Sequence, residues 1–190
     1  MNRRSFLIAP ASLLIAVLSI PVFAADAKDT RTTEKAVTTN EARTNPLASL
    51  PNDIEVTPLL HISGQPSGDQ LALLHSAGIH NVIDLRPDAE HGDFDERMVV
   101  VHLGLGYDSL PIRGTQDMTP ENVKTFDQLL TRKQADGVLV HCASGNRVGA
   151  MMALRARWLQ GKSALEALAI GKASGLTSLE ADVRKLLDAK

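Results

Sequence analysis

Short continuous apolar runs alternate along this chain with longer stretches in which apolar residues recur every three or four positions, and clusters of Gly, Pro, Ser and Asn separate the two. Residues 59–62, 81–85 and 107–112 have the length and β-prone content of strands. Gly137 turns the chain into a fourth run, Val138-Leu139-Val140, that leads to the single cysteine. Between the strands, Ser67-x-x-Gln70 is a capping box that opens a short helix ending near Gly78. Residues 94–103 read as a helix, weakened by the β-branched run Val99-Val100-Val101. Thr119 caps Pro120 at a first helical position, with Val123, Phe126 and Leu130 on one face. Residues 148–159 form an apolar helix containing Met151, Met152 and Trp158, which read as core. Ser163-x-x-Glu166 and Thr177-x-x-Glu180 are two further capping boxes, so the C-terminal third is helical. Strands alternating with helices predict an α/β fold, with a central, mostly parallel sheet of about four to five strands flanked by helices. Ligands of such sheets gather at the carboxyl ends of the strands.

The head of the chain departs from this alternation. Asn2-Arg3-Arg4 precedes an apolar region, residues 6–20, which is short for a membrane span and is flanked or interrupted by Pro10 and Pro21. Val22-Phe23-Ala24 then places small residues where a signal peptidase reads, so residues 1–24 are expected to be an export signal cut after Ala24. Arg3-Arg4-Ser5-Phe6-Leu7 also has the form of a twin-arginine signal, which leaves the Sec and twin-arginine routes open and predicts a periplasmic or secreted protein. Residues 25–52 are rich in Thr, Lys, Glu, Asp and Asn and read as a disordered polar tether. One folded domain, residues 53–190, remains.

Composition narrows the chemistry. The chain carries 20 basic and 22 acidic residues, and cleavage would remove Arg3 and Arg4 with no acid, leaving a formal charge of −4. That balance gives no footprint for nucleic acid. One cysteine cannot form an internal disulfide, so Cys142 is free for chemistry in an oxidising compartment. The six histidines show no paired ligand spacing, and neither a metal nor another cofactor is expected.

Free cysteine is commonly a small buried apolar residue, but Cys142 stands where an apolar strand meets a polar turn ahead of a helix. Amides in such a turn, together with the helix N-terminus, favour an anion. Arg147 adds a planar fork of donors suited to two oxygens of a tetrahedral anion. A cation in the first turn of a helix is otherwise unfavourable, so a bound anion explains it. The stretch thus carries a sulfur nucleophile inside an oxyanion cradle.

His141-Cys142, a small-residue loop, Arg147 and a helix together resemble the phosphate-binding loop of the cysteine-dependent protein tyrosine and dual-specificity phosphatases. Upstream, residues 62–67, 82–87 and 110–112 (Leu110-Pro111-Ile112) resemble the phosphatase-like domain of the beta-lactamase-hydrolase-like proteins, and the likeness covers residues 54–175. In those phosphatases five residues separate cysteine from arginine and Ser or Thr follows. Here four intervene and Val148 follows. The shorter loop is also similar to that of rhodanese-like sulfurtransferases, though no glycine-tryptophan ending follows the loop helix.

The resemblance implies a dual-specificity-phosphatase-like domain with catalytic Cys142 and Arg147 and a substrate cradle from Ala143, Ser144, Gly145, Asn146 and Arg147. His141 is expected to face away and tune the loop through hydrogen bonds. The general acid of the family comes from a loop before the helix preceding the cysteine strand, which implies Asp117, with Asp108 as an alternative. Arg86 and Asp88 either line the same cleft or form a structural ion pair. Ser144 either assists the departing thiolate or caps the helix. Three functions remain open: an exported phosphatase of phosphomonoesters, phosphotyrosine among them, on a small molecule or phosphoprotein; a sulfurtransferase working through a Cys142 persulfide; and a phospho-ligand binding module without turnover.

Overall fold

The computed structural model describes residues 45–189. The export signal and residues 25–44 of the tether lie outside the described residues. The sheet has five strands: β1 Ile54–Thr57, β2 Leu60–Ser63, β3 Asn81–Asp84, β4 Gly106–Ser109 and β5 Val138–His141. Their order is β1-β2-β5-β3-β4, with β1 antiparallel to β2 and every other pairing parallel. The helices are α1 Gly68–Ala72, α2 Glu96–His102, α3 Pro120–Lys133, α4 Asn146–Trp158, α5 Ala164–Ala173 and α6 Glu180–Asp188.

Strands β2, β3 and β5 are buried at every position because helices cover both faces of the sheet. Alternation sends successive side chains to opposite layers. Val138, Val140 and Ile83 join one core with Phe126 of α3, Val148 and Met151 of α4, and Val183 of α6. Leu139 and Val82 join another with Leu71, Leu74 and Val100 beneath α1 and α2. Met152 is buried in the first core and Trp158 packs against it.

Local signals set several helix starts. Ser67 and Ser163 form complete capping boxes with Gln70 and Glu166, and Thr119 accepts from the Asn122 amide ahead of Pro120. Five features depart from expectation. The tether ends before residue 52, since Leu47 and Leu50 are buried in the second core, where their apolar surface offsets the cost of ordering. A strand at Ile54–Thr57, unpredicted, forms the antiparallel edge. The third strand stops at Ser109 rather than at residue 112, and α2 starts at Glu96, capped by Asp95. Thr177 does not cap α6: its amide donates to Asn146 Oδ1 at 2.8 Å, and the helix opens at Glu180 instead.

Register fixes where the site falls. Ser63 and Asp84 both pair with His141, so the three central strands end level, and Cys142 leaves the sheet between two neighbours at their carboxyl edge.

Candidate active site

The loop after β5 is held from outside by its carbonyls. Ala143 O accepts from the Gln65 amide at 3.3 Å, and Ser144 O accepts from Asn52 Nδ2 at 3.3 Å. In a trans peptide the C=O and the following N–H point oppositely, so these contacts turn the Ser144 and Gly145 amides inward. The Gly145 amide reaches Cys142 Sγ at 3.1 Å. Gly145 is also the residue before α4 and adopts a left-handed φ of 87°, which glycine takes without a Cβ penalty. The first intrahelical bond of α4 is Gly149 N–H to Gly145 O, so the amides of 145–148 have no helix carbonyl to meet and favour an anion. Cys142 is buried at the floor of this turn, while Ala143 and Ser144 form its exposed rim.

Arg147 is turned inward, and two other elements hold it. Nη1 donates to Glu90 Oε1 at 2.9 Å and to Ile112 O at 2.8 Å, and Nη2 donates to Glu90 Oε2 at 2.5 Å. Both Nη1 hydrogens and one Nη2 hydrogen are thereby used. The Nε–Nη2 edge remains, with two parallel donors matched to a tetrahedral oxyanion. Burial opposes the charge on Arg147, but the Glu90 carboxylate and the Cys142 sulfur outweigh it and hold the guanidinium above its ordinary range. Glu90 sits on a short 3-10 turn, Asp88–Glu90, after β3. The sequence reading missed it, because 57 residues separate it from Arg147.

His141 points to the other side of the strand, as expected, into a buried polar network. Its Nε2 lies 2.7 Å from Glu96 Oε1 and 3.7 Å from Asp84 Oδ1, and Nδ1 is 3.4 Å from Cys142 O. Arg86 is fully buried and forks onto Asp84 with Nε–Oδ1 at 3.0 Å and Nη2–Oδ2 at 2.7 Å, while Nη2 also donates to Glu96 Oε2. Arg86 and Asp88 neither pair nor share a cleft: Arg86 is a structural ion-pair residue, but its partners are Asp84 and Glu96, brought to it by the buried network. Burial would raise the Asp84 carboxyl, but the hydrogen bonds from Arg86 and the nearby His141 keep it below its usual value. Burial, with Asp84 and Glu96 adding, pushes the Tyr107 phenol well up, so it stays a donor to Asp84 Oδ2 at 3.2 Å. One donor atom each from Asp84, Glu96 and His141 lie within 4.8 Å of one another. The guanidinium shared by the two carboxylates already meets their charge.

The acid candidates fall elsewhere. Asp117, in the loop between β4 and α3, accepts from Arg113 Nε at 2.8 Å, Nη2 at 2.7 Å and the backbone amide at 2.9 Å. Those hydrogen bonds take its carboxyl down to about 2, so in this arrangement it carries no proton at neutral pH, contrary to what an acid requires. Asp108 pairs with Lys133 at 3.2 Å. With Asp88, it lines an open cleft of about 600 Å³ whose walls include none of residues 142–147. Ser144 does not cap α4; Gly145 occupies that position. The Asn146 side chain turns away to Ser178 Oγ at 2.7 Å and to the Thr177 amide, pinning the α5–α6 connection.

A nucleophile-sized sulfur under helix amides, an arginine edge beside it, and a parallel sheet presenting both at its carboxyl edge define a cysteine-phosphatase type of domain. A profile of the family described as PTP-NADK, DSP-PTPase phosphatase fused to NAD+ kinase, matches residues 34–186, and the chain belongs to this DSP-PTPase family. A beta-lactamase hydrolase-like protein of Xylella fastidiosa is 32% identical over 105 residues, which are 53% of this chain and 24% of the relative. The match thus spans about a quarter of that relative's length. A phosphatase-like protein of Neisseria meningitidis shares 26% identity over 72% of this chain and 96% of its own, with a TM-score of 0.59. A DUF442 phosphatase-like protein of Shewanella putrefaciens (24% identity, 76% and 95% coverage, TM-score 0.59) and TpbA of P. aeruginosa (21% identity, 74% and 85% coverage, TM-score 0.55) share the fold.

Proposed function

We propose that this chain is an exported, cysteine-dependent hydrolase of phosphomonoesters. The observation that carries the reading is the meeting of Cys142 Sγ, the Gly145 amide and the guanidinium of an Arg147 fixed by Glu90 and the Ile112 carbonyl. The thiolate attacks phosphorus in line as the P–O bond to the leaving group breaks, and an acid protonates that oxygen. Water then attacks the phosphocysteine, the S–P bond breaks, and orthophosphate leaves with the thiolate restored. The loop amides and Arg147 meet the equatorial oxygens, where charge accumulates. Glu90 and Ile112 act through Arg147 and are positioning residues.

Reduced protein is expected to release phosphate from an aryl phosphate, with inhibition by vanadate, and Cys142→Ser to abolish release while retaining phosphate binding. Absence of any release from wild type overturns the reading. A stable gain of one sulfur on Cys142 after thiosulfate treatment selects the sulfurtransferase, to which the six-residue span from Cys142 to Arg147 also corresponds. Tight phosphate binding without turnover selects a binding module. Export rests on residues 1–24, and fractionation of cells expressing the full chain, with a mature N-terminus at Ala25, tests it.

A further inference from the structure

The turn that carries Glu90 is tied at both ends to one carboxylate. Asp84, fully buried at the end of β3, accepts from the Arg86 backbone amide at 2.8 Å where the turn begins, and its Oδ2 lies 3.2 Å from His91 Nε2 where the turn ends. That ring nitrogen is buried, and a buried nitrogen facing a carboxylate carries its hydrogen toward it. Between the two ties the turn has two backbone bonds of its own, Glu90 N–H to Pro87 O at 2.9 Å and His91 N–H to Asp88 O at 3.1 Å. A single 3-10 turn is weakly held by such bonds, and Gly92, at a left-handed φ of 57°, ends it. The His91 side chain is 21% exposed and lines the open cleft with Asp88, Phe94 and Tyr107, so replacing it opens no cavity in either core.

Resting on the phosphatase reading, we propose that His91 is a positioning residue: its contact with Asp84 closes the 88–90 turn, and the closed turn sets the Glu90 carboxylate on both Nη groups of Arg147. Every link from Asp84 through His91 and Glu90 to Arg147 is a direct contact or a peptide bond, and His91 itself touches no reacting atom. Asp84 does not depend on His91, because the Arg86 guanidinium meets its charge and the Tyr107 hydroxyl also donates to it. Loss of the His91 contact therefore loosens the turn and leaves the buried network in place. Arg147 then keeps its charge but loses the carboxylate that orients its fork, and orientation is what the transition-state contacts require.

The test is a double-mutant cycle on hydrolysis of an aryl phosphate. His91→Phe keeps a ring in the cleft and removes the donor, so kcat/KM should fall about tenfold, the size of one lost contact to a charged group. His91→Gln offers a side-chain N–H at similar reach and should return to within about threefold of wild type. In a Glu90→Ala background the relay is already cut, and adding His91→Phe should change kcat/KM by less than about twofold. An equal loss in both backgrounds, which a merely structural role would give, overturns the proposal, as does no loss in either. Absence of hydrolysis by wild type overturns the phosphatase reading instead, and nitrogen NMR of the Arg147 guanidinium then decides the relay by itself. Rotation about its Cζ–Nη bonds should be slow in wild type and His91→Gln and faster in His91→Phe. Equal rotation in all three proteins refutes the positioning role.

Discussion

Gly149 lies in α4 where the helix meets the end of α5, and replacing it with alanine sets two effects of opposite sign against each other. Within a helix, Gly→Ala by itself stabilises by about 1 kcal/mol. A Cβ at this position would stand 2.2 Å from Leu176 N, 2.8 Å from Gly171 O and 2.8 Å from Gly175 C. All three are backbone atoms, and two of them belong to the Leu176 N–H to Gly171 O bond that ends α5. Carbon contacts need roughly 3.5–4.0 Å, so the end of α5 must retreat by more than ~1 Å. Overpacking of this kind costs about 1–3 kcal/mol, and disturbing the hydrogen bond about 1 kcal/mol more. Sterics win, and Gly149→Ala is expected to destabilise by about 1–3 kcal/mol, a fall in Tm of roughly 3–10 °C for a domain of this size. Thermal and urea unfolding followed by circular dichroism measure it. A variant as stable as wild type, or more so, would show that α4 and α5 do not approach this closely and that helix propensity alone governs the position.

Glu90→Gln keeps the side-chain shape but removes the charge that holds Arg147, so kcat/KM on an aryl phosphate should fall about tenfold or more. Tm should move little, because the Glu90 side chain is 36% exposed; unchanged kinetics would mean that Arg147 needs no carboxylate partner. Arg86→Met leaves Asp84 and Glu96 buried without their cation and should cost about 3–5 kcal/mol, much of it recovered when both acids are also made apolar. A loss under about 1 kcal/mol in urea unfolding would contradict a buried ion network. Asp117 has a folded value lowered from 3.8 to about 2, so its stabilisation is complete above the unfolded value and is lost as pH falls through the folded one. Asp117→Asn should accordingly flatten the loss of stability between about pH 4 and pH 2, read as urea midpoints against pH; parallel curves for the two proteins would refute the Arg113 clamp.

Signals that act over a few residues were legible in the chain. The apolar run Val138-Leu139-Val140 became the central strand, Ser67 and Ser163 became caps, and Pro120 opened α3. Each depends on a backbone preference or a periodicity complete within one turn or one strand. Thr177 shows how such a signal fails. A capping box competes with any other acceptor for the same amides, and Asn146, 31 residues earlier, takes the Thr177 amide.

The sequence by itself determined that a parallel α/β sheet delivers one cysteine, a tight turn and an arginine to a strand end, since these neighbours are joined by the chain. Tertiary structure alone decided what surrounds them. Glu90 arrives from the turn after β3, Ile112 offers its carbonyl from the loop after β4, and Glu96 meets His141 from α2. Leu47 and Leu50 extend the domain into a polar stretch, because burial against α1 and α2 repays two apolar residues that composition averages away. The physical reason is the same throughout. A charged or apolar side chain finds its partner by distance in the fold, and the sheet order β1-β2-β5-β3-β4 sets that distance by bringing together strands far apart in the chain.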